Sequence, residues 1–308
     1  MKKTLIATAI AGAMSFTAVA QAAEVDYDLY GSLRVAVVDT DNGELDVADN
    51  SSRIGIKAST QLDGGITGIV RFETYVNTES GDFGSSPSGK GRLAYIGATG
   101  DFGTVTAGRQ WTPQYLWTSA KVDLLDFGSN PTHSYALAGR QGNTVAYITP
   151  DLSGLQLAAV LVARAGGEVE ANTTEDGVDA YNLAAHYAMG GFSVGLSSIM
   201  YQGNIDENYT AFAVGYEQGP LNVAFEMTDN GIADTETFEV AGSYSLGKAT
   251  VLANFVDFDD DNGNQVAAEV QYKLGAKSRV AATVVAFDDD AEDAGNADQI
   301  AVSWRVDF

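Results

Sequence analysis

The chain has 308 residues, with 17 basic side chains, 41 acidic ones and no cysteine. A formal charge of −24 disfavours nucleic acid as a partner, because phosphates demand a basic surface. The missing thiols exclude disulfide frameworks, thiol catalysis and thiolate metal sites.

The first element is a leader. Met1-Lys2-Lys3 is a short basic start, Thr4 to Val19 is apolar and small, and Ala20-Gln21-Ala22 has the small-x-small pattern of a cleavage site. Residues 1–22 are therefore expected to be a cleaved signal peptide, and 23–308, which show no linker or composition break, a single domain. Losing Lys2 and Lys3 leaves 15 basic residues against 41 acidic ones, a formal charge of −26.

Beyond the leader, short alternating segments follow one another with little pause. The pattern predicts sixteen strands, at 25–38, 51–62, 66–77, 91–99, 103–110, 143–149, 154–165, 179–189, 191–202, 209–217, 220–229, 236–246, 248–258, 265–274, 278–287 and 298–308. Lengths near ten suit the roughly 9–11 residues with which a tilted strand crosses a bilayer.

Each strand has one greasy and one wet face. In 51–62, Ile54, Ile56 and Ala58 alternate with Arg53, Gly55, Lys57 and Ser59. In 298–308, Ile300, Val302, Trp304, Val306 and Phe308 alternate with Gln299, Ala301, Ser303, Arg305 and Asp307. Charges on the second face would be costly in lipid or in a sandwich core. They are comfortable beside water, so about sixteen strands would enclose a wet lumen.

The connections tend to alternate in length. Short ones such as Asp63-Gly64-Gly65, Gly190-Gly191 and Gly247-Lys248 carry the glycines that tight hairpins need. Long ones such as Asp39 to Asn50, Gly166 to Val178 and Asp288 to Asp298 are acidic. Short turns on one side and long loops on the other are the habit of outer-membrane barrels. Aromatic residues near strand ends, Tyr27, Tyr147, Tyr216 and Tyr272 among them, fit the girdles such barrels carry at the membrane interfaces. Trp111 to Gly142 breaks the rhythm. It is too long for a hairpin loop and brings its own apolar residues, among them Tyr115, Trp117, Val122, Leu124 and Phe127, which need something to pack on. Folding inward against the wall would satisfy them and narrow the pore.

Several of these segments carry a resemblance. Asp28-Leu29-Tyr30-Gly31, Ser52-Arg53-Ile54-Gly55-Ile56-Lys57, Arg92-Leu93-Ala94-Tyr95-Ile96-Gly97, Gly108-Arg109-Gln110 and the terminal Phe308 appear in order over essentially the whole chain after the leader. In this the chain resembles the general, trimeric porins of Gram-negative outer membranes, of γ-proteobacterial type. The resemblance implies an all-β, 16-stranded antiparallel transmembrane β-barrel whose third loop folds into the lumen as a constriction. Asp123 and Asp126 resemble its loop acids; Arg53, Arg92 and Arg140 resemble the basic wall opposite. Arg34 and Lys57 share the inward phase of their strands and extend that wall. Ser32 stands where enterobacterial members often carry Lys, and the two loop acids are one residue closer together. Arg109 resembles an arginine at the subunit contact, with Glu79 as a candidate partner from a neighbour's second loop.

The function implied is passive diffusion of small hydrophilic solutes and ions, with a mild cation preference expected from the −26 charge. A substrate-specific channel and a plugged structural or adhesive barrel are the alternatives. The expected partners are two further copies of the chain in a homotrimer, outer-membrane lipid and lipopolysaccharide, and the outer-membrane assembly machinery that reads Phe308. No cofactor is expected. The acidic runs at 259–264 and 288–290 lack the ligand spacing of a calcium loop. His133 and His186, the only histidines, have no supporting catalytic motif, so enzyme activity is not expected.

Overall fold

A computed structural model describes residues 25–41, 43–84, 91–128, 139–163, 177–202, 207–259 and 262–308. The expected signal peptide, 1–22, and His133 lie outside the described residues. Eighteen strands among the described residues form one sheet. Two are short, β2 (Asp46–Asp49) and β5 (Phe83–Gly84), and sit in the first two long connections.

The other sixteen make the wall. They are β1 (Val25–Thr40), β3 (Arg53–Gln61), β4 (Thr67–Val76), β6 (Leu93–Gly100), β7 (Gly103–Trp111), β8 (Arg140–Ile148), β9 (Leu155–Val162) and β10 (Ala180–Met189), followed by β11 (Phe192–Tyr201), β12 (Asn208–Gln218), β13 (Leu221–Asn230), β14 (Thr235–Leu246), β15 (Ala249–Asp257), β16 (Asn264–Gly275), β17 (Ser278–Phe287) and β18 (Gln299–Asp307). Each pairs antiparallel with its neighbour in sequence. The last meets the first: Ser32 to Thr40 of β1 register against Asp307 to Gln299 of β18, and Gly31 and Phe308 exchange two backbone hydrogen bonds of 3.1 Å. The sixteen-strand wall thereby closes on itself. All sixteen expected strands are present, with ends shifted by a few residues where the turn chemistry was ambiguous.

Period-two alternation fixes which face is which. On β18, Ile300, Val302 and Trp304 are 56–59% exposed, whereas Ala301 and Ser303 between them are 1% and 3% exposed. The first set faces outward, where lipid removes any need for further burial. A charge there would cost about 2–4 kcal/mol at mid-depth for Arg or Lys. The second set faces the enclosed space.

The short connections confirm the direction of the strands. Gly190 and Gly191, with φ of 60° and 89°, provide the positive φ of a two-residue hairpin that most other residues would strain to adopt. Phe192 and Tyr216 pack beside that turn with ring centroids 4.4 Å apart. The Tyr147 hydroxyl donates to the Phe102 carbonyl at 2.8 Å. These aromatic side chains gather at the short-turn end of their strands.

Candidate functional site

The connection after β7 is where the enclosed face gains its contents. Its first helix, α1 (Pro113–Trp117), begins because the Thr112 side chain accepts the Tyr115 N–H at 3.2 Å and Pro113 fills the first helical position. One turn later the chain tightens into a 3₁₀ turn, Ser119–Lys121, and then continues irregularly, with bends over residues 126–128.

Three apolar anchors tie this segment to the enclosed face. Trp117 packs on Ala158 of β9 and Ala184 of β10 and stacks on His186, centroids 5.8 Å apart. Val122, fully buried, packs on Ala224 of β13 and Ala241 of β14. Phe127 packs on Ala36, Val38 and Ala301 of β1 and β18. The wall is built of small residues at each of these contacts, which leaves room for the larger loop side chains.

Polar anchors lie between them. The Gln114 N–H donates to Asn182 Oδ1 at 3.3 Å, and Ser119 Oγ donates to Glu226 at 2.7 Å. The Asp126 and Phe127 N–H groups converge on the Glu269 carboxylate at 3.0–3.1 Å. Glu226 and Glu269 are buried. Carboxylates on a barrel wall are paired here with loop donors that would otherwise be unsatisfied.

Opposite this segment lies a cavity of about 1250 Å³. Its basic lining comes from β1, β3, β4, β7, β8, β17 and β18, with Arg92 just before β6. Glu73 organises the lower part. It accepts Arg92 Nε at 2.5 Å, Tyr30 Oη at 2.9 Å and Arg71 at 3.4 Å. The Arg92 and Glu73 side chains are only 6% and 4% exposed, so this pair is desolvated. Aromatic rings space the guanidinium groups. Arg92 and Arg140 both lie over Tyr75, at 4.9 and 5.7 Å, and Arg140 lies 4.4 Å from the Trp111 ring. Trp111 in turn stacks on Tyr115 at 3.9 Å.

The seven residues expected at a constriction therefore divide. Arg34, Arg53, Arg92, Arg140, Lys57, Asp123 and Asp126 all line this cavity. Arg92 is held in the buried pair, and Lys57 is tied to Asp28 at 3.8 Å. Asp123 accepts the Tyr115 hydroxyl at 2.7 Å. Burial, with the Asp123 charge beside it, pushes the Tyr115 phenol above its ordinary range, so it remains a donor.

Asp126 has partners that the expected facing wall did not include. It forms a two-pronged ion pair with Arg279 and a 3.3 Å pair with Arg305. The register explains why. Arg279 lies directly opposite Arg305, which lies directly opposite Arg34. Three like charges in one row repel, and Asp126 sits over two of them as a counter-ion. Burial opposes its ionisation, but the two arginines outweigh burial and hold the carboxyl below its ordinary value. The inward phase of Arg305 was visible in the last strand; which loop residue would cover it was not.

Arg109 also lines the cavity, donating from Nε to the Gly91 carbonyl at 2.9 Å. A β-bulge aims it. Register shifts between Gly108 and Gln110, and Gly108 adopts φ 128°, a conformation suited to glycine. Glu79 stands on the second long connection, its N–H bonded to Asn77 Oδ1 at 2.8 Å.

A profile described as Gram-negative porin matches residues 7–305. A monosaccharide porin of a Halomonas species is 28% identical over 302 residues, covering 90% of this chain and 76% of that protein. An anion-selective porin from Comamonas acidovorans superposes with a TM-score of 0.75 at 18% identity, over 92% of this chain and all of that one. A trimer form of OmpT from Vibrio cholerae superposes with a TM-score of 0.69 at 18% identity, over 92% and 99% of the two chains.

Proposed function

The chain belongs to the Gram-negative porin family and is an outer-membrane channel; from that premise we propose that small hydrophilic solutes and ions diffuse passively through it, past a constriction made by the connection after β7. The observation that carries this reading is the run of contacts from residues 112–128 to inward side chains of β10, β13, β16 and β17. A segment held on the enclosed face narrows the space that face surrounds. Arg34, Arg53, Arg92, Arg140 and Lys57 form the basic side of the constriction, and Asp123 and Asp126 the loop side. Opposed charges across a narrow aqueous path order water and orient dipolar solutes.

The surrounding parts follow from the same reading. Residues 1–22 act as the export signal, and the chain works as a homotrimer. In the trimer, Glu79 of a neighbour reaches the Arg109 region. Lipopolysaccharide packs around the outer rim, and the assembly machinery reads the Phe308 strand.

Liposome swelling with sugars of increasing size tests the reading. Uptake should fall smoothly with solute size and show no saturation. A second reading, a channel with a saccharide preference, is favoured by the Trp111–Tyr115 stack on the cavity wall, since aromatic faces pack well on sugar rings, and by the name of the Halomonas relative. In that case one sugar would block ion current saturably while others of equal size would not.

A further inference from the structure

The whole chain and its narrow zone carry charge of opposite sign. The chain has 17 basic and 41 acidic side chains, yet among the described residues nine basic ones line the cavity against four acidic ones. Those four acids are already engaged. Glu73 is paired with Arg92 and Arg71, Asp126 with Arg279 and Arg305, and Asp307 with Arg305 at 2.9 Å; Asp123 is bound by Tyr115.

Three arginines have neutral partners instead. Arg34 Nε donates to Ser32 Oγ at 2.9 Å, Arg53 to the Ser51 carbonyl at 3.4 Å, and Arg140 to the Tyr75 hydroxyl at 2.7 Å. All three line the cavity, and among the described residues no carboxylate lies within 4.0 Å of their nitrogens.

The acidic surplus sits elsewhere, largely on the long connections. Arg34 of β1 and Asp41, just beyond the end of that strand, are seven residues apart, roughly 20 Å at the rise of an extended chain. At ~0.1 M salt the Debye length is about 10 Å, so charges on that rim are screened from the constriction. Charges within the narrow zone act at short range beside low-dielectric walls and are screened much less.

We propose that the narrow zone selects small anions, inorganic and carboxylate, beneath a rim that attracts cations. This deepens the reading of the chain as an open diffusion channel and rests on it. It also reverses the cation preference expected from total charge, because total charge counts the rim and the constriction alike. The two fields make a distinctive salt dependence. At ~0.01 M salt the Debye length reaches about 30 Å, the rim acts on the constriction and anion preference weakens. Near 0.1 M it strengthens.

The test is the zero-current potential of the full-length protein in planar bilayers under a KCl gradient, for wild type and for the double variant Arg34→Gln, Arg53→Gln. Neither substitution orphans a carboxylate, so the variant keeps its paired network. The expected result is a potential of chloride sign in wild type, larger near 0.1 M than near 0.01 M, and a shift toward potassium in the variant. A potential of potassium sign in wild type, or no shift in the variant, overturns the selectivity and leaves the channel reading standing. A folded barrel that passes no current overturns the channel reading, and this inference with it.

Discussion

At the scale of single residues, the cavity wall depends on how each buried charge is compensated. Glu73 holds Arg92 in a nearly water-free pair. Replacing Glu73 by Gln leaves the guanidinium buried beside a neutral amide, and removing one partner of such a pair costs about 3–5 kcal/mol. The urea midpoint of the refolded variant should fall accordingly, while a substitution at exposed Lys57 should leave it nearly unchanged. Asp126 gives a pH signature. Its folded carboxyl titrates below the ordinary value, so its contribution to stability is complete above about pH 4, the unfolded aspartate value. That contribution is lost as pH falls further through the depressed folded value. Comparing unfolding of wild type and Asp126→Asn across pH should show a constant gap from pH 7 to about 4 and a closing gap below. A gap that closes between pH 6 and 5 would contradict the pairing. These residues were only partly legible in the sequence. Arg53, Arg140 and Asp126 could be placed by motif. The Arg34–Arg305–Arg279 row could not, because it depends on the register of three strands and on a loop residue from about 150 positions away in sequence.

At the scale of elements, the hairpins were readable because their signals are local. Alternation fixes the faces, and glycine pairs such as Gly190-Gly191 fix the turns. The connection after β7 was readable only in outline. Its length and apolar content said that it must pack on something, but Trp117, Val122 and Phe127 find their sites on β9–β10, β13–β14 and β1–β18, which no local pattern specifies. Gly195 of β11 shows how tight the fit is: a Cβ there would collide with the Trp117 carbonyl oxygen. Gly195→Ala should push α1 off the wall and broaden the distribution of single-channel conductances. Loss of the Thr112 cap in Thr112→Ala costs about 1 kcal/mol and should loosen the same end, seen as faster amide exchange over residues 113–117 with little change in β18.

At the scale of the whole molecule, stability and conduction come from the same closure. A sheet whose last strand pairs with its first satisfies its backbone without water, and sixteen strands enclose more space than their own side chains fill. Among the described residues, basic side chains outnumber acidic ones on the cavity lining, although the chain as a whole is acidic. Net charge therefore says little about the charge of the cavity lining. The chain has no cysteine, so one introduced thiol reports unambiguously on its surroundings. The most direct measurement is single-channel current through Asp123→Cys before and after reaction with a bulky thiol reagent, with labelling confirmed by mass. The expected result is an open channel whose conductance drops on labelling, because the proposed constriction puts residue 123 in the water path. An open channel whose conductance is unchanged after complete labelling would contradict the constriction at its centre.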